Sequence, residues 1–583
     1  MTSRMYGWAG RMLSVDLSTG SCNVEIMPDH LLHEYVGGRG LGVRFMRDYH
    51  RLDPFDSATP LIFAVGPLCG TSAPTASRLA IVTRSPLTGT IFDNSFGGTF
   101  AWQLKAAGYD LLKISGESPK PVILVVNESG AELLPAGSLW GSTVRETTAA
   151  LKGAGSVAAI GPAGENAVFF ASVMTADGSV SGRGGLGANM GRKRLKAIAV
   201  KGARRTDIAE PDRFESARAD VMRLFRASPV IFGELGLAEY GTPAFVDLMK
   251  QRRMTPTENF HKTWFNDSDR YSGPALRKQF SCVKDGCFGC PVQCLKISST
   301  GERLPEYEAL SHFGALNGIS DLSTIIQANS LCFELGMDPI STAATISAYG
   351  EMRGRFVTAD ELAGFIKDIA FRKGDGDCLA NGSRSAAIGS GHPETSMNVK
   401  GLELSAYDPR GAYGMALSYC TGSRGGCHQY AYPVSTEILR KPVATDRFSF
   451  SGKARIISIA EDTNAAVDSL AACKFAFFGA TLEEYAGLLT STTGVDYTPQ
   501  RLKEIGARIC LTERYYNCAN GFDISQDQLP DRFFTEAGSA GDGIDIPPLN
   551  RYRFNEELQK YYRIRGLSPQ GTFADPHYLE QQP

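Results

Sequence analysis

Ala197-Ile-Ala-Val-Lys-Gly-Ala-Arg-Arg205 divides the chain into two kinds of sequence. Before it, short apolar runs alternate with glycine, proline and serine turns: Leu61-Ile-Phe-Ala-Val65, Ala80-Ile-Val-Thr83, Val122-Ile-Leu-Val-Val126, Val157-Ala-Ala-Ile160 and Ala197-Ile-Ala-Val200. Apolar runs of this length between turn formers read as strands. Pro121 to Leu134 reads as a hairpin turning at Asn127-Glu-Ser-Gly130. From about residue 210 helical periodicity takes over, as in Ser323 to Leu335 and Phe450 to Ala472. The predicted fold class is α+β. A β-rich N-terminal domain spans 1–205, and two mainly α-helical domains span 206–405 and 406–583. Pro211 and the glycine-rich stretch 374–391 are expected breaks, and 536–547 an expected loose segment.

The composition is that of an ordinary globular protein: 583 residues, 43% hydrophobic and 21% charged. A net charge of −2 gives no basic stripe for nucleic acid. No apolar run reaches the ~18–20 residues of a membrane helix, and Met1-Thr-Ser-Arg-Met-Tyr-Gly carries no apolar export core. The expected location is cytoplasmic.

Thirteen cysteines in such a chain argue against a disulfide scaffold. Cys22, Cys69, Cys332, Cys378, Cys510 and Cys518 read as plain buried thiols. Cys287-x2-Cys290-x3-Cys294 does not, because closely spaced thiolates hold soft metals. With Cys473, in Asp468-Ser-Leu-Ala-Ala-Cys473, the run suits a four-thiolate iron–sulfur cluster. With Cys282 instead, it suits an all-local zinc site. Cys282-x4-Cys287-x2-Cys290 also fits a two-iron spacing, so spacing leaves cluster type open.

Other segments carry candidate chemistry. Ser181-Gly-Arg-Gly-Gly-Leu-Gly187 and Asp93-Asn-Ser-Phe-Gly-Gly98 are glycine turns whose backbone N–H groups, beside Arg183 and Arg78, could cradle phosphate; the plain alternative is tight β-turns. Asp338 and Asp468, near helix ends, could each accept two N–H bonds from a guanidine-like heterocycle edge. Read alone, Asp338 before Pro339 is more often an ordinary capping or turn residue. In Leu304-Pro-Glu-Tyr-Glu308, an extended segment would point Glu306 and Glu308 the same way, and one of them near a desolvated redox centre could be a general base. His428, in Arg424-Gly-Gly-Cys-His428, can move a proton near neutral pH.

Taken together these segments resemble the tungsten-containing aldehyde ferredoxin oxidoreductase family. The resemblance runs from Met5-Tyr-Gly-Trp and Asp16-Leu-Ser-Thr-Gly20 through Gly66-Pro-Leu-Cys-Gly-Thr-Ser-Ala-Pro-Thr75, Gly161-Pro-Ala-Gly-Glu-Asn166, Gly185-Leu-Gly-Ala-Asn-Met-Gly191 and Tyr407-Asp-Pro-Arg-Gly411 to Tyr561-Tyr-Arg-Ile-Arg-Gly566. It implies an N-terminal domain that cradles the cofactor: tungsten, or molybdenum, held by two pyranopterins, with a [4Fe–4S] cluster beside it. The cluster ligands implied are Cys287, Cys290, Cys294 and Cys473, which sets Cys282 aside. Asp338 and Asp468 match the pterin-gripping carboxylates, with Met337, Ala472 and Arg424 alongside. Arg78, Asn94, Ser95, Gly97, Ser179, Val180, Gly182 and Arg183 match positions around the pterin phosphates and a bridging magnesium ion. Glu308 and His428 match the acid/base pair beside the metal.

The implied reaction is oxidation of an aldehyde to a carboxylic acid, with electrons leaving for ferredoxin or a ferredoxin-like subunit. Four positions depart from the family pattern. Phe333 stands where an aspartate is usual, Ala471 for a glycine, Tyr430 for a lysine, and Ser95 for an asparagine that Asn94 adjoins. Gln327-Ala-Asn-Ser330 lacks the Glu-x-x-His of an interface metal, so any homo- or hetero-oligomer is expected without one. Two other readings stay open: a member working reductively on an acid, a thioester or an aromatic ring, and a cluster-only electron-transfer subunit.

Overall fold

The computed structural model describes residues 5–538, 544–575 and 578. Two mixed sheets build the N-terminal part. The first has six strands in the order Ser21–Ile26, Arg11–Asp16, Leu111–Ser115, Leu61–Val65, Leu79–Arg84, Ile91–Phe96. The second has five, in the order Met174–Thr175, Ser156–Ala159, Leu195–Val200, Val122–Asn127, Gly130–Pro135. All five apolar runs are strands, and the hairpin pairs Asn127 with Gly130 as the turn residues require.

The strand Leu61–Val65 is apolar and buried at every position because both sheet faces are covered. Along Leu61–Val65, Ile62 and Ala64 join the core shared with the helices, while Leu61, Phe63 and Val65 join the core between the two sheets. The strand Ile91–Phe96 lies at the edge of its sheet. Its outer backbone groups are therefore free for side chains from other parts of the chain.

Beyond Pro211, the first residue of the helix Pro211–Ala227, the chain is mainly helical. Leu322–Leu335 and Lys453–Ser469 are the two helices seen in the sequence periodicity. Among the described residues, two short hairpins interrupt this part: Val283–Asp285 with Leu295–Ile297, and Asn398–Val399 with Leu402–Glu403. The first of them frames the cysteine run.

Three expectations need correction. The stretch 374–391 is no break: it forms helices Asp375–Leu379 and Ser383–Gly389. Two of its glycines serve as N-caps, Gly374 at φ +53° and Gly382 at φ +87°. Of the supposed loose segment, residues 539–543 lie outside the described residues, but its flanks pair, Gly538 N–H donating to Ile546 C=O at 2.9 Å. Of the thiols read as buried, Cys378 is exposed and Cys22 and Cys518 are half-buried.

Candidate active site

Every residue that the family resemblance assigns to cluster, cofactor or catalysis lines one cavity of about 590 Å³, between the edge strand Ile91–Phe96 and the helical part. Cys287, Cys290, Cys294 and Cys473 line it together. Cys282 does not; its Sγ lies 3.6 Å from Leu276 C=O. The all-local zinc set is therefore not assembled. Among the described residues no three His, Cys, Asp or Glu side chains converge on a single-ion position. Burial pushes the Cys290 thiol up to about 12 and those of Cys294 and Cys473 upward as well, so a metal cluster would have to displace their protons.

The segment Asp468–Cys473 reaches the cavity by lying directly on the N-terminal part. A Cβ on Gly38 would meet Asp468 C=O at 2.1 Å, and one on Gly66 would meet Leu470 C=O at 2.2 Å. Only glycine permits that approach. Arg78 N–H donates to Ala471 C=O and Cys473 N–H to Thr75 C=O, at 3.2 and 3.0 Å. Gly97 serves the same end on the other side, since a Cβ there would meet Cys287 Sγ at 2.1 Å.

Three arginines work on the edge strand and its surroundings. Arg78 donates to Ser95 Oγ and Ser95 C=O at 2.9 and 2.6 Å. Arg424 pairs with Asp93 Oδ2 at 3.2 Å. Arg183 donates to Gly426 C=O at 3.1 Å and to Glu403 C=O, while Asn94 Nδ2 donates to Arg183 C=O at 2.6 Å. The Nε atoms of Arg183 and Arg424 are buried without a hydrogen-bond partner. Orphaned cationic donors beside Ser179, Val180 and Gly182 on a cavity wall suit an anionic ligand. Beside Arg183, Asp338 caps the helix Pro339–Met352, accepting from Ser341 N–H at 2.8 Å, and also faces Arg183 Nε at 3.7 Å. It is a capping residue and a cavity carboxylate at once.

Glu306 and Glu308 do not point the same way. A helix starts at Tyr307, so Glu306 sits at its N-cap, exposed and paired with Arg303 at 3.1 Å. Glu308 turns inward, its side chain only 16% exposed. Its Oε2 accepts from Ala406 N–H at 3.0 Å, and its Oε1 has no hydrogen-bond partner. Burial pushes the carboxyl up to about 8, against the opposing pull of Ala406 N–H and Arg183. His428 Nδ1 lies 3.6 Å from Oε1 and 2.8 Å from Ser405 Oγ. Burial first, then Arg183, Arg424 and Lys474, hold its pKa well below the ordinary value, so His428 is neutral at neutral pH.

The profile for the N-terminal domain of aldehyde ferredoxin oxidoreductase matches residues 12–202, and that for its domains 2 and 3 matches 216–579. The chain belongs to the aldehyde ferredoxin oxidoreductase family. It is an oxidoreductase. The tungsten-containing aldehyde ferredoxin oxidoreductase of Pyrococcus furiosus is 39% identical, over 97% of both chains. That of Thermococcus kodakarensis is 38% identical over the same shares. An aliphatic sulfonate oxidoreductase, WOR-like subunit, of Pyrococcus furiosus is 26% identical over 97% of this chain and 96% of its own. The fold is shared with the active site complex BamBC of benzoyl coenzyme A reductase in complex with 1,5-dienoyl-CoA, at a TM-score of 0.83 and 23% identity, covering 98% of this chain and 96% of that one.

The departures from the family pattern have structural consequences. Phe333 lines the cavity and brings no carboxylate. Ala471 takes φ +57°, a conformation that favours the glycine it replaces. Tyr430 donates its hydroxyl to Glu513 Oε2 at 2.9 Å, and its ring lies 4.7 Å from the Arg39 guanidinium. Arg39, unremarked in the sequence, grips Glu513 through two bonds of 2.7 Å and reaches Asp93 and Asp468 at 3.6 and 3.4 Å. Lys474 adds a second cation to Asp468 at 2.8 Å. Sequence reasoning also passed over His312, although Glu308 and His312 stand at the i, i+4 spacing of one helix face. Glycines on both sides of Arg39 were the available signal for a closely approached backbone.

Proposed function

We propose that this enzyme oxidises aldehydes to carboxylic acids with a bis-pyranopterin tungsten centre and a [4Fe–4S] cluster, delivering electrons to ferredoxin or a ferredoxin-like subunit. The observation that carries this reading is that four thiols, orphaned arginine donors and the unpartnered Glu308 Oε1 line one cavity. The residues fit the groups: Cys287, Cys290, Cys294 and Cys473 for the cluster; Asp338, Asp468, Met337, Ala472 and Arg424 for the pterins; Arg78, Asn94, Ser95, Gly97, Ser179, Val180, Gly182 and Arg183 for the phosphates and a bridging Mg2+. When bound, these groups supply a two-electron acceptor and a one-electron outlet.

The chain's own contribution is proton handling. Glu308 Oε1 takes a proton from the water whose oxygen adds to the aldehyde carbonyl carbon. His428, neutral, orients the reacting oxygen by hydrogen bonding while Ser405 holds its Nδ1.

The test is metal analysis of anaerobically purified protein with an aldehyde panel against viologen dye. Tungsten, iron and aldehyde-dependent dye reduction support the reading. Glu308→Gln should keep the metals and abolish the reaction; full activity in that variant overturns the assignment. A reductive activity on an acid, thioester or aromatic ring is the second reading, favoured by Phe333 where a carboxylate is usual in the cavity wall. It requires full metal loading without aldehyde-dependent dye reduction.

A further inference from the structure

We propose that His312 is a positioning residue that keeps Glu308 ionised, the two holding one proton between them as an imidazolium–carboxylate pair. This rests on Glu308 being the base of the proposed reaction.

His312 is completely buried, one helical turn after Glu308. Its Nδ1 lies 2.8 Å from Glu308 C=O and 3.4 Å from Glu308 Oε2. Its Nε2 lies 3.2 Å from Leu404 C=O. Every oxygen facing the ring is thus an acceptor. A neutral imidazole has a single N–H and would present a lone pair to one of these carbonyls; imidazolium satisfies both. The charge this creates has its counter-ion in place, because Glu308 Oε2 faces the same Nδ1 and also takes Ala406 N–H at 3.0 Å. That leaves Oε1, free and facing His428, as the oxygen that accepts a proton.

Burial acts against each charge taken singly, pushing Glu308 up to about 8 and His312 down to about 4. Forming both charges together leaves no net charge in the site. Of the other charges around the pair, Arg183 favours the carboxylate and opposes the imidazolium, while Asp338 and Glu306 oppose the carboxylate. The neighbouring side chains of Tyr307, Tyr407, Tyr419 and Tyr432 are phenols that burial keeps protonated, and His428 is neutral. The proton moves only between Glu308 and His312 Nδ1, so no other reactant is needed.

Two measurements on the holoenzyme test this. The first is the infrared band of a neutral carboxyl, assigned to Glu308 by subtracting the spectrum of Glu308→Gln. Wild type should lack the band at pH 7 and His312→Gln should show it. The second is the pH profile of kcat/KM for aldehyde against viologen. In His312→Gln the acidic limb should move up by about one unit, a roughly tenfold loss below it, with activity recovering at higher pH. A neutral Glu308 band in wild type at pH 7, or unchanged band and profile in His312→Gln, overturns the proposal. Should His312→Gln not fold, the wild-type spectrum alone decides. Absence of aldehyde activity in wild type would sink the proposed function, while the infrared measurement would still locate the proton.

Discussion

Arg39 Nη1 lies 3.4 Å from Asp468 Oδ2, joining the helix Gly38–Phe45 of the N-terminal part to the end of the helix Lys453–Ser469, just ahead of Cys473. Arg39 is completely buried and also serves Glu513 and Asp93. Burial alone would raise the Asp93 carboxyl, but Arg39, Arg424 and Lys474 outweigh it and hold it below the usual range. Three cations, Arg39, Arg424 and Lys474, thus answer the buried carboxylates of Asp93, Asp468 and Glu513.

Removing one member of a buried charge set leaves the others uncompensated, typically at about 3–5 kcal/mol. Arg39→Met should destabilise the protein by that amount. Arg39→Lys, which keeps the charge but loses the two-bond grip on Glu513, should cost less. Denaturant unfolding of the metal-free proteins checks both. Equal losses in the two variants would show that geometry, not charge, is what Arg39 provides.

Ala471 gives a prediction of opposite sign. At φ +57° its Cβ crowds the following carbonyl, and glycine relieves this at little cost in a position already fixed. Ala471→Gly should raise unfolding stability by about 1 kcal/mol, less the entropy that glycine adds to the unfolded chain. A lower denaturation midpoint would mean that the methyl group's packing against Gly66 outweighs the backbone strain.

The strands and the cavity wall were legible in the sequence because each is written locally. Apolar runs between turns became strands, and the glycines around 182–187 and Asp468-x4-Cys473 mark segments that work as units. The ionic framework was not legible. Arg39, Asp93 and Glu513 are ordinary charges far apart in sequence, and only the fold makes them neighbours. Glu306 and Glu308 were misread by period: two residues apart, they share a face in a strand, but helix geometry turns them ~200° apart. The Pro305-Glu306 entry to the helix carried no strong cue of its own. His312 was passed over because a histidine on an apolar helix reads as core, and its carbonyl partner at Leu404 lies on a distant segment.

The cysteines separate cluster from bystander. Cys473→Ser should lower iron content and the brown absorbance, because the serine oxygen is a poorer ligand than thiolate for iron. Cys282→Ser should leave both unchanged, since its thiol faces Leu276. Iron per chain, measured after anaerobic purification, reads the difference. Equal loss in both variants would return Cys282 to the ligand set.

Glu351 sets a pH dependence of stability away from the cavity. Burial works to raise this carboxyl, but hydrogen bonds from His261, Arg532 and Asn259 prevail and bring it down to about 2. Arg532 Nη1 and His261 Nε2 each lie 3.1 Å from a carboxylate oxygen, and Asn259 Nδ2 lies 2.5 Å away. The folded pKa is thus below the unfolded value, so the native state binds fewer protons and the pair's stabilisation is present above the unfolded pKa. It is lost as pH falls from the ordinary carboxylate range toward about 2. Glu351→Gln should therefore be less stable than wild type by about 2–3 kcal/mol at pH 7, with the gap closing progressively below about pH 4. Unfolding midpoints for both proteins across that range would show the convergence. A constant gap would assign the loss to hydrogen-bond geometry rather than to the charge of Glu351.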